Sequence, residues 1–164
     1  MRSLALPLVL LLALGGCASV APPSRPAPTP AEQRAALPAE LTIERQWLQS
    51  WFRGTPVRIG QRVDGAVTVD VPREFCFDPG HSRVKPALAA VLDKVAESLR
   101  RRPLASVTLI AAPADPKGPA PLALQRAARV RQYLHARGVA IARLGPPTAT
   151  DAVAVELRLE AAPS

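Results

Sequence analysis

Hydrophobic positions recur along this chain with two periods, and the change from one to the other predicts its elements. Between residues 86 and 101, Leu88, Val91, Leu92, Val95 and Leu99 fall at helical spacing, so one face of a helix is turned to a core. Pro86 stands near its start, Arg100 to Arg102 complement the negative end of the helix dipole, and Pro103 ends it. Residues 106 to 111 (SVTLIA) read as a strand. From about Pro121 to Arg137 a second helix buries Ala123, Ala127, Val130 and Leu134, and Gly138 stops it. Near the end AVAVELRLE alternates strictly, with Val153, Val155, Leu157 and Leu159 on one side and Glu156, Arg158 and Glu160 on the other. That is a half-buried strand, expected at a sheet edge or in an antiparallel pair.

The preceding half of the chain follows the same two periods. Thr29-Pro30-Ala31-Glu32 is a capping box with proline in the first helical position, so a helix starts there. Pro38 is expected to interrupt it, leaving a second helical piece from about Ala39 to Arg53 with Gly54 as its stop. On that piece Leu41, Leu48 and Phe52 share one face, and Ile43, Trp47 and Trp51 a neighbouring one. This wide stripe is expected to dock on the domain's own sheet; the alternative is contact with a membrane interface or a partner protein, which tryptophan suits. The run VRIGQRVDGAVTVDV is a hairpin. A two-residue turn at Asp64-Gly65 would set Ile59 against Asp70 and make the faces disagree. A three-residue loop from Val63 to Gly65 pairs Ile59 with Val69 and Val57 with Val71, and that register is predicted.

Composition adds an export signal and a tether. An apolar run from Leu4 to Leu14 follows Arg2; at 11 residues it is far short of the roughly 20 needed to span a bilayer, so it reads as a signal peptide. Leu14-Gly15-Gly16-Cys17 then looks like a bacterial lipobox, in which the leader is cut before Cys17 and the thiol is lipidated. By resemblance to lipoprotein sorting, Ala18 in place of an aspartate favours the outer membrane, facing the periplasm. Residues 18 to 30 (ASVAPPSRPAPTP) are proline-rich and aperiodic; at about 3.1 Å per residue this spacer reaches roughly 40 Å. With Cys17 acylated, Cys76 is the one thiol left and no intrachain disulfide forms. In the apolar setting FCF it reads as a buried small side chain.

The net charge of +8 (+7 without the leader, 20 basic against 13 acidic residues) favours anionic partners, among them nucleic acid, lipid head groups and cell-wall polymers. Nucleic acid is disfavoured by the export signal and by 4% aromatic content. His81 lies in a Pro-Gly turn and His135 on the outside of a helix, with no nucleophile placed for either, and no Cys/His metal cluster, phosphate loop or paired-acid arrangement occurs. The expectation is therefore a non-enzyme without cofactor or metal. The remaining chemistry lies at Asp115, in the loop closing the 106–111 strand, and Arg126, on the helix that follows. An acid at a strand end and a base on the next helix can face one pocket, able to hold a ligand with both an ammonium and a carboxylate.

The order strand, helix, strand, helix, strand gives an α/β (α+β) two-layer sandwich, helices on one face of a mixed sheet, preceded by a helix and a hairpin. The run from VTVDVPREFCFDPG through KPALAAVLDKVAESL, SVTLIAAPAD and LALQRAARVRQYLHARGV to the last strand resembles the OmpA-like peptidoglycan-binding domain. Phe77-Asp78, Lys85-Pro86, Asp115 to Gly118, Leu122 to Ala127, Tyr133-Leu134 and Arg137 to Val139 carry the resemblance. The implied layout is a signal peptide (1–16), lipidated Cys17 and linker (17–30), a helical extension with the first hairpin strand (31–65), the OmpA-like domain (66–160) and a tail (161–164). The resemblance further implies non-covalent binding of the diaminopimelate in peptidoglycan stem peptides by Asp115 and Arg126, with backbone N–H groups near Leu122 also favouring a carboxylate. The chain departs from the family at Ala112-Pro113-Ala114, and in a shorter loop crowded with Pro116, Pro119 and Pro121. The alternative function is a scaffold module of an envelope assembly that keeps the fold without binding peptidoglycan and holds a protein partner through Trp47 and Trp51.

Overall fold

The computed structural model describes residues 28–161; the leader, Cys17 and the linker up to residue 27 lie outside the described residues. Helix α1 (Pro30–Trp51) begins at the expected capping box: Thr29 Oγ1 accepts from the Glu32 N–H at 3.3 Å, and the Glu32 carboxylate accepts from the Thr29 N–H at 2.7 Å. Pro38 does not interrupt it. The helix runs through the proline unbroken, with Leu37 and Leu41, on either side, both pressed into the core, and that burial offsets the main-chain bond that proline cannot make. Leu37, Leu41 and Leu48 form the docked face; Ile43 and Trp51 are more than half exposed and lie outside it.

The hairpin strands β1 (Arg58–Gln61) and β2 (Val67–Pro72) pair in the predicted register, Ile59 opposite Val69, with Val57 just ahead of β1. Gly65, at φ +86°, is the left-handed residue that closes the three-residue loop. Helix α2 (Pro86–Arg101) turns Leu88, Val91, Leu92, Val95 and Leu99 inward as its periodicity requires. Strand β3 (Ala105–Pro113), helix α3 (Pro121–Ala136), a short strand β4 (Pro147–Thr150) and strand β5 (Ala154–Ala161) complete the chain.

The five strands order as β1-β2-β5-β3-β4, antiparallel except for the parallel β3/β4 pair. Val67, Val69 and Val71 of β2, Val155, Leu157 and Leu159 of β5, and Val107 and Ile110 of β3 share one core with all three helices, so the fold is a two-layer α/β sandwich on a mixed sheet. Strand β5 is central, not at an edge. It alternates because the sheet's other face stays partly open, where Glu156, Arg158 and Glu160 lie half-buried. Val153, expected inward, precedes the strand and is exposed.

Strand β4 has no hydrophobic signature to find. It is four residues, PTAT, at an edge that tolerates proline. The chain reaches it past Gly145, whose N–H donates to the Val107 carbonyl at 2.7 Å at a bulge in β3, where any side chain would strike the Thr108 carbonyl.

Candidate functional site

The carboxyl end of β3, the start of α3 and the loop after β2 meet at one end of the sheet. From Pro113 the chain enters a turn in which the Gly118 N–H donates to the Asp115 carbonyl at 2.9 Å, and α3 starts three residues later. Arg126 sits in the second turn of α3 on the face that also buries Ala123, Ala127 and Val130, so its side chain is carried inward. The loop from Cys76 to Lys85 closes over it. Arg73, in the short 3-10 turn ahead of that loop, donates to the Ala114 carbonyl at 3.2 Å and ties the two loops together.

The structure brings Asp115 and Arg126 into direct contact, Oδ1 to Nη2 at 2.9 Å. They were expected to open side by side onto one hollow. Instead they close on each other, with the Arg126 side chain 0% exposed and that of Asp115 21%. Arg126 Nε donates to the His81 carbonyl at 2.9 Å, Nη1 to the Pro113 carbonyl at 3.0 Å and Nη2 to the Asp78 carbonyl at 3.2 Å, and its guanidinium carbon lies 4.9 Å from the centre of the Phe77 ring. A guanidinium withdrawn from water needs acceptors around its whole fork, and these supply them. Three are main-chain carbonyls, Pro113 at the end of β3 and Asp78 and His81 in the loop that covers it; the fourth is the one charged partner, a side-chain carboxylate.

Asp115 is itself clamped. Its Oδ2 accepts from the Gly80 N–H at 2.7 Å. That bond first, and then Arg126, hold its carboxyl below the usual 3.8. The Leu122 N–H, expected to be available to a ligand carboxylate, already donates to the Pro119 carbonyl at 3.0 Å, because the tight proline-bounded turn folds back on the helix start. Cys76, under the same loop, is fully buried, its thiol 3.3 Å from the carbonyls of Val71 and Pro72, and burial pushes its pKa up to about 12, so it carries no thiolate at neutral pH. Among the described residues no group of three or more His, Cys, Asp or Glu side chains could hold a metal ion.

Sequence reasoning missed the backbone half of this site. Asp78, Gly80 and His81 contribute main-chain groups, which leave no trace in side-chain patterns; the Pro-Gly turn was the one available signal. It also missed a second buried charge. Glu44 of α1 is 3% exposed; it accepts from Ser98 Oγ at 2.8 Å and Arg101 Nη2 at 2.8 Å, and forms an ion pair without a hydrogen bond to Arg102 Nε at 3.2 Å. Beside it the guanidinium of Arg101 lies 3.8 Å from the Trp47 ring centre and the Lys94 ammonium 3.7 Å from that of Trp51. Trp47 is thus packed against the body, and Trp51 is the more open of the two.

No protein-family model matches the chain, and no curated protein matches it. Solved structures do. A MotB-like protein from Desulfovibrio vulgaris superimposes with a TM-score of 0.63 at 21% identity, over 82% of this chain and 96% of the other. The periplasmic domain of Helicobacter pylori MotB gives 0.54 at 16%, over 63% and 84%. The cell wall anchor of the T6SS from Pseudomonas aeruginosa gives 0.53 at 17%, over 79% and 99%. The chain therefore has the OmpA-like fold, in a divergent sequence.

Proposed function

We propose that this chain is an outer-membrane lipoprotein, anchored through acylated Cys17, whose periplasmic domain binds peptidoglycan non-covalently and ties the envelope to the wall. The observation that carries the reading is the unequal hold on Arg126. Three main-chain carbonyls position the guanidinium, and its one charged partner is the partly exposed side chain of Asp115, which can turn away without moving the backbone. A diaminopimelate unit of a stem peptide exchanges with that internal pair: its carboxylate takes the Nη2 edge, and its ammonium takes the displaced Asp115. One fold neighbour, from Pseudomonas aeruginosa, is a cell wall anchor, which agrees with this reading.

Full-length protein in detergent should sediment with purified sacculi. Asp115→Ala and Arg126→Ala should abolish the retention, and free diaminopimelate should compete for it. Wild-type protein that stays in the supernatant ends the proposal. Cys17→Ser should release the protein from the membrane fraction.

A second reading is favoured by the exposure of Ile43 and Trp51 on the outer side of α1: a scaffold module that holds an envelope protein through that helix. It is supported if sacculi are not bound and crosslinking from position 51 captures one defined envelope protein.

A further inference from the structure

A groove of about 590 Å³ lies between the segment after His81 and the outer side of α3. Val84 and Tyr133, both packed against the core, form its floor. Ser82, Arg83, Arg129 and Gln132 stand around it, and no acidic residue lines it. A smaller hollow of about 240 Å³ continues past Arg129. The two arginines differ from the other cations nearby. Arg126 is consumed by internal acceptors, and Arg137 is paired with Asp93 at 2.9 Å. Arg129 bonds only the neutral amide oxygen of Gln132, at 2.9 Å, and among the described residues Arg83 makes no hydrogen bond or ion pair.

Two unneutralised guanidiniums at the rim of a groove with an apolar floor are complementary to a carboxylate carried on a small apolar residue. The groove also abuts the closed pair, because His81, which borders it, gives its carbonyl to Arg126 Nε. One extended ligand can therefore reach both places.

We propose that this groove is a second carboxylate subsite for the wall polymer, in which Arg83 and Arg129 hold a free carboxylate of the stem peptide beyond the unit exchanged at Asp115. The proposal rests on the wall-binding reading. It differs from that reading in needing no rearrangement, since the groove is open while the Asp115–Arg126 pair is shut. A peptide can dock in the groove first and then compete for the pair.

The test is a ¹⁵N-resolved NMR titration of the full-length protein in detergent with a purified disaccharide-tetrapeptide muropeptide, repeated on Arg83→Ala, Arg129→Ala, their combination and Asp115→Asn. The expected result is shifts at Ser82, Val84, Gln132 and Tyr133. Affinity should weaken roughly tenfold per arginine removed, the scale of one charge-assisted contact. Groove shifts should persist in Asp115→Asn, and should weaken when the muropeptide carboxylates are amidated. Shifts confined to Gly80, Ala114, Asp115, Lys117 and Gly118, with affinity unchanged in the double variant, would overturn the subsite and leave the wall-binding reading standing. Shifts nowhere would remove both. Inorganic phosphate reproducing the same shifts at the same affinity would overturn a carboxylate-peptide site in favour of indiscriminate anion binding. Both arginines lie on the surface, so an unchanged spectrum away from the groove confirms that the variants fold.

Discussion

Two buried charges hold this domain together, and they are built in opposite senses. At the end of the sheet the buried partner is a cation, Arg126, and its counter-ion is a single, partly exposed carboxylate on a loop. Under α1 the buried partner is an anion, Glu44, and it is served by two arginines, with side chains 36% and 26% exposed, plus a serine hydroxyl. The first node has one side-chain counter-ion, which is replaceable, and three main-chain acceptors. The second has redundant side chains, and among the described residues no backbone N–H donates to its carboxylate. An arrangement with one replaceable ion suits exchange with a ligand; one with duplicate ions suits a permanent joint.

The sharpest way to break this comparison is to remove each buried member. Arg126→Ala leaves three carbonyls without donors and a void beneath the loop, and should cost about 3–4 kcal/mol in urea unfolding. Arg126→Lys should recover little, because an ammonium cannot span the fork of acceptors. Glu44→Ala strands the buried Ser98 hydroxyl and two arginines that already reach water, so it should cost about 2 kcal/mol. Hydrogen exchange should localise that loss to α1, with the sheet amides unchanged.

Acidity separates the nodes next. The Asp115 carboxyl is depressed by the Gly80 N–H and by Arg126, so its contribution is fully present above its ordinary value of 3.8 and is lost as pH falls through its lower folded value. Thermal midpoints of wild type and Asp115→Asn should therefore differ most at pH 5 and above, and converge as the medium is acidified below about 3.8. A gap that widens on acidification would contradict the pairing. The smallest effect is expected at the edge of the second node: Trp51→Ala loses its contact with Lys94 and an edge-on contact with Trp47, and should change stability by no more than about 1 kcal/mol in the same unfolding assay.

How much of this was legible in the sequence follows from which forces leave a periodic mark. The cores of α2 and α3, the hairpin register and, from Val155 on, the alternation in β5 are written in side-chain spacing, and they stand in the fold as read. Strand β4 is not, because an edge strand flanked by prolines is held by main-chain pairing to β3 and needs no apolar residue of its own. Pro38 misled because the local cost of an interior proline was weighed without the tertiary grip of Leu37 and Leu41 around it. Asp115 and Arg126 could be placed near each other by resemblance. That they would consume each other could not be read, since it depends on carbonyls of Asp78, His81 and Pro113. Nothing in the spacing marks Glu44; only the approach of Arg101 and Arg102 from the end of α2 makes it an interior residue.

The unbroken course of α1 gives the molecule a mechanical polarity. Tension applied from the amino-terminal side enters at Thr29 and meets two turns of helix whose described side chains all face solvent before it reaches Leu37. Under load the helix would peel from that end, giving up Leu37 and Leu41 one after the other. It would then arrive at Glu44, where the doubled arginine clasp must yield together with the stacked Trp47. That position works as a detent: strain below its rupture force spends itself on the first turns, and the sheet with its groove and ion pair is left undeformed.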